Sequence, residues 1–213
     1  MMKNIFDRFS VLLGLLDYVN PILYTITMVT IVKKLYKVME KPFNTLMLIG
    51  AVISIIFGFI IPTGKVIVGL GLIKFVMPVS LVFCVNCGIL ISGLMLFHYV
   101  IKSKLIDLLL LPALILLFLI LIYSKSKKLN TIAVLTGASG YMLIYISLIL
   151  LSIRKGDVIP VILYALAILL FVMLCGIGIK ANLYDPKIHW VIEISNVICQ
   201  LFVAAATVRL FSV

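Results

Sequence analysis

Charged residues are scarce in this sequence, and their scarcity excludes a water-soluble fold. Only 12% of the 213 residues are charged, whereas 65% are hydrophobic and the mean hydropathy is +1.36. Soluble domains contain roughly 25% charged and about 45–50% apolar residues. The composition therefore predicts an integral membrane protein. Because apolar runs cover nearly all of the chain, we expect residues 1–213 to form a single transmembrane helical domain.

Acidic residues are especially few, with seven Asp and Glu against 18 Lys and Arg. In a soluble protein, the net charge of +11 would suggest nucleic acid as a partner. Here the basic residues lie mostly in short connections between apolar runs, where such residues contact lipid head groups and set membrane topology. We therefore expect the lipid bilayer as a partner and no nucleic acid.

Cysteine is also rare, and its pattern does not favour a redox function. Cys84 and Cys87 form a CxxC pair in the stretch FCVNCG. Such a pair is typical of thiol chemistry. This pair lies in the middle of an apolar run, and no second pair in a loop is available for exchange. We interpret the two cysteines as small packing residues of a helix.

A helix needs about 20 consecutive apolar residues to cross a bilayer. Seven segments meet this requirement: 10–32, 43–62, 76–99, 105–123, 130–152, 158–179 and 188–211. Most of the connections are short, so neighbouring spans should lie antiparallel. Residues 63–75 are interpreted as an interfacial or partly re-entrant segment, with an eighth span as the alternative. The predicted fold is an all-α polytopic bundle of seven transmembrane helices.

Basic residues near the span ends divide equally between the two faces of this bundle, so their number does not set the orientation. The first connection usually has the greatest weight, and it carries Lys33, Lys34, Lys37 and Lys41. We therefore predict an N-terminus outside the cell and a C-terminus in the cytoplasm.

The last span contains a stripe of polar residues within HWVIEISNVICQ. They recur at i, i+4, i+7 and i+11, which at about 100° per residue keeps them within roughly 60° of one another. These residues are His189, Glu193, Asn196 and Gln200. The first span carries a similar stripe, which includes Asp17, Asn20 and Tyr24. Two spans thus each present one polar face inside a predicted bilayer.

Asp17 and Glu193 are the two acids that lie well inside predicted spans, where an unpaired charge costs a few kcal/mol. At the standard helical rise, Asp17 and Glu193 lie at similar depths from the starts of their spans. Spans 1 and 7 run in the same direction, so a closed ring of helices would bring both acids together. Two carboxylates at such a position should not both be ionised unless a cation lies between them.

The two stripes predict an intramembrane cavity, lined by spans 1, 3 and 7, that binds or transports a small polar or cationic solute. Membrane carboxylates surrounded by amides suit such a ligand, or proton coupling. The amides could instead serve only as hydrogen bonds between helices. The predicted ligand-binding residues are Asp17, Asn20, Tyr24, Asn86, His189, Glu193, Asn196 and Gln200, and no cofactor is expected.

A membrane-embedded, metal-dependent hydrolase acting on a lipid is one alternative, with Asp17, His189 and Glu193 as zinc ligands. The heptahelical superfamily of alkaline ceramidases and adiponectin-type receptors also uses acid and histidine ligands, with paired histidines on its last helix. Here Glu193 stands in the place of the second histidine, and His98 lies toward the opposite membrane face. A heptahelical receptor-like subunit is a further alternative, which rests on the span count.

Overall fold

Every regular element in the described part of the chain is an α-helix. The computed structural model describes residues 11–72, 79–102, 126–180 and 186–212. The helices are α1 (Val11–Asp17), α2 (Val19–Leu35), α3 (Phe43–Gly69), α4 (Val79–Ile101), α5 (Ser126–Lys155), α6 (Val158–Lys180) and α7 (Pro186–Ser212). The predicted all-α membrane bundle is thereby confirmed.

The described residues contain six stretches that are long and apolar enough to cross a membrane, and α1 and α2 together form the first of them. Six is one fewer than the seven spans predicted from the sequence. The predicted fourth span, 105–123, lies outside the described residues, and the other predicted spans correspond to the six.

Helices α4 and α5 run in the same direction, as two contacts show. Asn86 Nδ2 donates a hydrogen bond to the carbonyl of Ala133 at 2.8 Å, and further along both helices Gly93 approaches Gly140. Residue 102, at the end of α4, and residue 126, at the start of α5, therefore lie at opposite faces of the bundle. The predicted fourth span requires this arrangement. We call the face where α3 ends and α7 begins the N-terminal face, and the face where α4, α5 and α7 end the C-terminal face.

Helix α3 is longer than predicted, and it corrects the interpretation of residues 63–75. The helix continues through Pro62 to Gly69, so residues 63–69 belong to a span and not to an interfacial or re-entrant segment. Proline has no N–H, so the carbonyl of Gly58 loses its helical donor, and the proline ring crowds the same carbonyl. Membrane helices tolerate such a defect where neighbouring groups pack against it. As a consequence, Lys65 lies within the membrane-spanning part of α3.

Glycine residues bring the backbones of α3, α4 and α5 into direct contact. A Cβ atom at Gly88 would lie 2.6 Å from the carbonyl oxygen of Gly50, and one at Gly140 would lie 2.6 Å from the backbone of α4. Helices in lipid associate through close packing, because lipid is as apolar as their side chains. Gly58 differs from these glycines, since among the described residues a Cβ there would meet only Pro21, at 3.6 Å.

The contrast between these glycines can be tested with two alanine substitutions. We expect Gly88→Ala to lower the free energy of unfolding by about 1–3 kcal/mol, because backbone atoms would have to move apart. Gly58→Ala should be neutral or stabilising by up to about 1 kcal/mol, because alanine favours the helix and the new methyl group would meet Pro21 at an ordinary van der Waals distance. Thermal unfolding of both variants in detergent would measure this, and equal loss in both would contradict the packing argument.

The directions of the helices predict which residues share a membrane face. Lys37 and Arg154 are exposed near the C-terminal face, whereas Lys187 is exposed at the start of α7. In a chain whose native cysteines are replaced by alanine, Lys37→Cys and Arg154→Cys should react with an impermeant maleimide from the same side of sealed vesicles. Lys187→Cys should react from the other side. Labelling of the first two from opposite sides would overturn the topology.

Candidate functional site

A lysine lies between the two membrane acids. Lys65 Nζ is 2.6 Å from Asp17 Oδ2 and 3.2 Å from Glu193 Oε1. The three side chains are only 9–14% exposed. The structure therefore brings Asp17 and Glu193 together, as the two stripes predicted, and the cation that two ionised carboxylates require is supplied by α3. We call these three residues the charged triad.

Sequence reasoning missed Lys65 because it ended the second span at Pro62. The signal that could have revealed it is the apolar character of the chain on both sides of this lysine: FGFIIPTG precedes it and VIVGLGLI follows it. Apolar residues on both sides of the proline are consistent with one continuous span, because membrane helices tolerate proline where neighbouring groups compensate for the lost hydrogen bond.

Asp17 owes its position to a break in the helix of the first span. Helix α1 ends at Asp17, and Tyr18 separates it from α2. Pro21 lies four residues after Asp17 and has no N–H to donate to the Asp17 carbonyl, which accounts for an interruption at this point. The acid therefore lies at the end of one helix, one turn before Asn20 on the next.

Two contacts hold α1 against the last turns of α3 and so bring Asp17 to Lys65. The hydroxyl groups of Tyr18 and Thr63 are 2.7 Å apart. A Cβ atom at Gly14 would lie only 2.9 Å from a methyl carbon of Val66, so glycine permits this close approach.

Asn20 links the first span to the last. Its Nδ2 donates a hydrogen bond to Glu193 Oε2 at 3.1 Å, while the other oxygen of Glu193 faces Lys65. Its Oδ1 is buried and has no hydrogen-bond partner among the residues that the structure describes. A buried polar atom without a partner costs free energy.

The charged triad forms one end of a cavity of about 250 Å³. At about 1.5 Å per residue, Glu193 lies roughly 10 Å and Gln200 roughly 21 Å from the start of α7 at Pro186, so the cavity reaches the middle of a bilayer about 30 Å thick. Its lining residues are Asp17, Asn20, Pro21, Tyr24, Ser54, Gly58, Ile61, Pro62, Lys65, Val85, Ile89, Tyr141, Phe171, Glu193, Asn196, Cys199 and Gln200.

Beyond the cavity, the bundle is closely packed toward the C-terminal face. Met28, Ile31, Tyr145 and Val203 are each at most 1% exposed. Nearer to the C-terminal face, the hydroxyl groups of Tyr164 and Thr207 are 2.9 Å apart. The cavity is therefore separated from the C-terminal face by a layer of buried side chains.

Six of the eight predicted ligand-binding residues line this cavity: Asp17, Asn20, Tyr24, Glu193, Asn196 and Gln200. Asn86 does not, because its amide group packs between α4 and α5, where it bonds to Ala133. The predicted third span contributes the apolar side chains of Val85 and Ile89 instead. The predicted lining by spans 1, 3 and 7 is therefore incomplete, because the second span also contributes to it, through Lys65.

The structure brings two of the three residues of the alternative zinc site, Asp17 and Glu193, to one cavity. His189 lies one turn before Glu193 but is not among the residues that line the cavity. Within the described residues, no group of three or more His, Cys, Asp and Glu side chains is arranged to hold a metal ion. The position between the two carboxylates, where a shared metal ion would lie, holds the ammonium of Lys65.

A second, smaller cavity of about 220 Å³ lies at the C-terminal face, between the loop after α2 and the end of α4. Glu40, His98, Tyr99 and Lys102 contribute to its walls. The imidazole of His98 stacks on Phe43 with 3.9 Å between the ring centroids. His98 therefore lies far from the charged triad, as the sequence predicted.

The fold and the charged cavity together define a multi-pass membrane protein with a polar site inside its helical bundle. Comparisons with protein-family models, with curated proteins and with solved structures found no match to this chain.

The charged triad predicts an unequal effect of its three members on stability. Lys65→Met should lower the free energy of unfolding by about 3–5 kcal/mol, because it leaves two buried carboxylates without their cation. Asp17→Asn and Glu193→Gln should each lower the free energy of unfolding by less, because Lys65 keeps one carboxylate partner. The triple variant with all three changes should recover much of the loss. Unfolding in detergent would measure these values, and an equal loss in Lys65→Met and in Lys37→Met, an exposed control, would contradict the role of Lys65.

Proposed function

We propose that the cavity binds a small organic cation and that the protein carries it across the membrane. The observation that supports this most directly is the charge of the triad. Two carboxylates share one ammonium, so the site has a formal charge of −1 when all three groups are ionised. A net charge inside a bilayer is costly, and a cationic ligand at this site would remove it.

The walls of the cavity favour a cation that has an apolar or aromatic body. Toward the middle of the membrane, the cavity is lined by the aromatic side chains of Tyr24, Tyr141 and Phe171. The Tyr24 and Tyr141 rings pack edge to face, with 6.0 Å between their centroids. The centroids of the Tyr141 and Phe171 rings are 5.6 Å apart. Aromatic faces attract cations and bury apolar groups. Ser54, Asn196 and Gln200 would supply hydrogen bonds to polar groups of such a ligand.

Transport is supported by the depth of the cavity and by the layer of buried residues beneath it. Many transporters bind their substrates near the bilayer midplane and open alternately to either side. Pro21 and Pro62 both line the cavity, and each removes one helical hydrogen bond beside it. The first and second spans therefore have a position near the site at which they can bend.

Basic residues support an orientation with the C-terminal face in the cytoplasm. The equal division of basic residues in the sequence placed Lys65 at the N-terminal face and left out Arg209. In the structure Lys65 belongs to the charged triad, and Arg209 lies at the C-terminal face, where it pairs with Asp157 at 3.0 Å. The side with more Lys and Arg near the span ends is usually cytoplasmic. In this orientation, the charged end of the cavity lies toward the outside.

Ligand-induced stabilisation of the purified protein tests this proposal. We expect amines with apolar bodies to raise the unfolding temperature, whereas neutral polyols and carboxylates of similar size should not. A ligand at about 100 times its dissociation constant stabilises by about 2.7 kcal/mol. Glu193→Gln should lose this effect. Glu40→Gln, the same chemical change at the opposite face, should retain it. Stabilisation by anions, or no stabilisation by any cation, would refute the proposal.

A further inference from the structure

We propose that cation binding at this site releases one proton, from Glu193, while Asp17 and Lys65 remain an ion pair. The inference rests on the proposed function, and it assigns different roles to the two acids. Asp17 is the fixed partner of Lys65. Glu193 is the exchangeable acid, which holds either a proton or the ammonium group of the ligand. The protein would thereby exchange one cation for one proton.

The distances from Lys65 distinguish the roles of the two acids. Lys65 Nζ is 2.6 Å from Asp17 Oδ2 but 3.2 Å from Glu193 Oε1, so the ammonium lies nearer to Asp17. One Lys65–Asp17 pair is electrically neutral. The charge that remains is that of Glu193, which is only 9% exposed at its side chain. Water cannot stabilise a carboxylate there as it does in solution, so a proton or a cation must neutralise it.

Asn20 makes the Glu193 end of the triad suitable for an ammonium ligand. Its Nδ2 binds Glu193 Oε2 and fixes the carboxylate, and its Oδ1 is the buried acceptor without a partner in the described residues. A primary or secondary ammonium at Glu193 has further N–H groups to donate, and Asn20 Oδ1 is the acceptor next to it. The ligand would gain a hydrogen bond there that a proton on Glu193 does not provide.

Few other ionisable groups compete for the proton in this cavity. Besides the triad, the ionisable side chains among the described lining residues are Tyr24, Tyr141 and Cys199, which lie deeper. Tyr24 OH is 3.0 Å from Ser54 Oγ and Cys199 Sγ bonds to the Ala167 carbonyl, so both already have partners. Helices α4 and α6 contribute apolar lining residues. His189 lies on the same helix as Glu193, one turn closer to the N-terminal face.

The exchange proceeds without a change in the net charge of the site. In the ligand-free state, the Glu193 carboxyl holds its proton and Lys65 pairs with Asp17. When the ammonium arrives, the O–H bond of Glu193 breaks, the proton leaves to the aqueous phase, and the carboxylate accepts an N–H bond from the ligand. The site is neutral in both states, either with a proton on Glu193 or with the bound cation, so it can open to either face in both states at low electrostatic cost.

Calorimetry of propylammonium binding in detergent tests the inference. Titrations in buffers of different ionisation enthalpy give the number of protons released, and we expect about one per cation bound in the acidic range. Where one proton is released, the dissociation constant should fall about ten-fold per unit rise in pH. Binding without proton release at any pH would overturn the inference but leave the proposed function intact. No binding of propylammonium or any other amine would overturn both.

Variants with the same net charge at the triad distinguish proton exchange at Glu193 from a general effect of the site's charge on cation binding. Asp17→Asn leaves a neutral Lys65–Glu193 pair, so it should lose both cation binding and proton release. Adding Lys65→Met to that variant leaves Glu193 alone with the original net charge, and both properties should return. Lys65→Met with Glu193→Gln has the same net charge, on Asp17, and should bind propylammonium less tightly, because Asn20 no longer faces the carboxylate. Equal binding by the two double variants would overturn the assignment of Glu193.

Tetramethylammonium serves as the control ligand, since it carries the same charge but has no N–H to donate. We expect it to bind less tightly than propylammonium in the wild type, and Asn20→Leu should reduce this difference. An unchanged preference in Asn20→Leu would contradict the role of Asn20 Oδ1.

Discussion

The ion pairs of Lys65 are the interactions on which the arrangement of the first, second and last spans depends. No water is available inside a bilayer to stabilise an isolated charge, so each charged group needs a partner from another helix. Lys65 of α3 contacts Asp17 of α1 and Glu193 of α7 at the same point. Helices that are distant in sequence are thereby held in register at one depth of the membrane.

Glycine packing provides the rigid side of the bundle, against which this charged region is built. Gly50 meets Gly88 across α3 and α4, and Gly93 meets Gly140 across α4 and α5. Backbones in contact leave no space for solvent or ligand. The cavity lies on another side of α3, where Lys65 contacts Asp17 of α1 and Glu193 of α7. The same helix therefore contributes Gly50 to the packed side and Lys65 to the open side.

The lining of the cavity could be predicted in large part, but the position of Lys65 between the two acids could not. The polar stripes on the first and last spans predicted that Asp17, Asn20 and Glu193 lie close together, as they do, because helical periodicity reports which side chains share a face. Asn86 has the same chemistry and depth range as those amides, yet it bonds to α5. Periodicity gives the face that a residue occupies on its own helix, and it contains no information about which helix that face meets.

The amino-acid sequence by itself determined the class of structure: apolar runs of sufficient length in lipid must form helices, since a helix satisfies its own backbone hydrogen bonds. It also determined that two acids lie within spans. Only the tertiary structure decided that a single lysine lies between them, because that contact joins residues 17, 65 and 193. Whether a lysine near the end of a span reaches the interface or turns inward depends on the charges of neighbouring helices. Helix packing, and not local sequence, sets which charges those are.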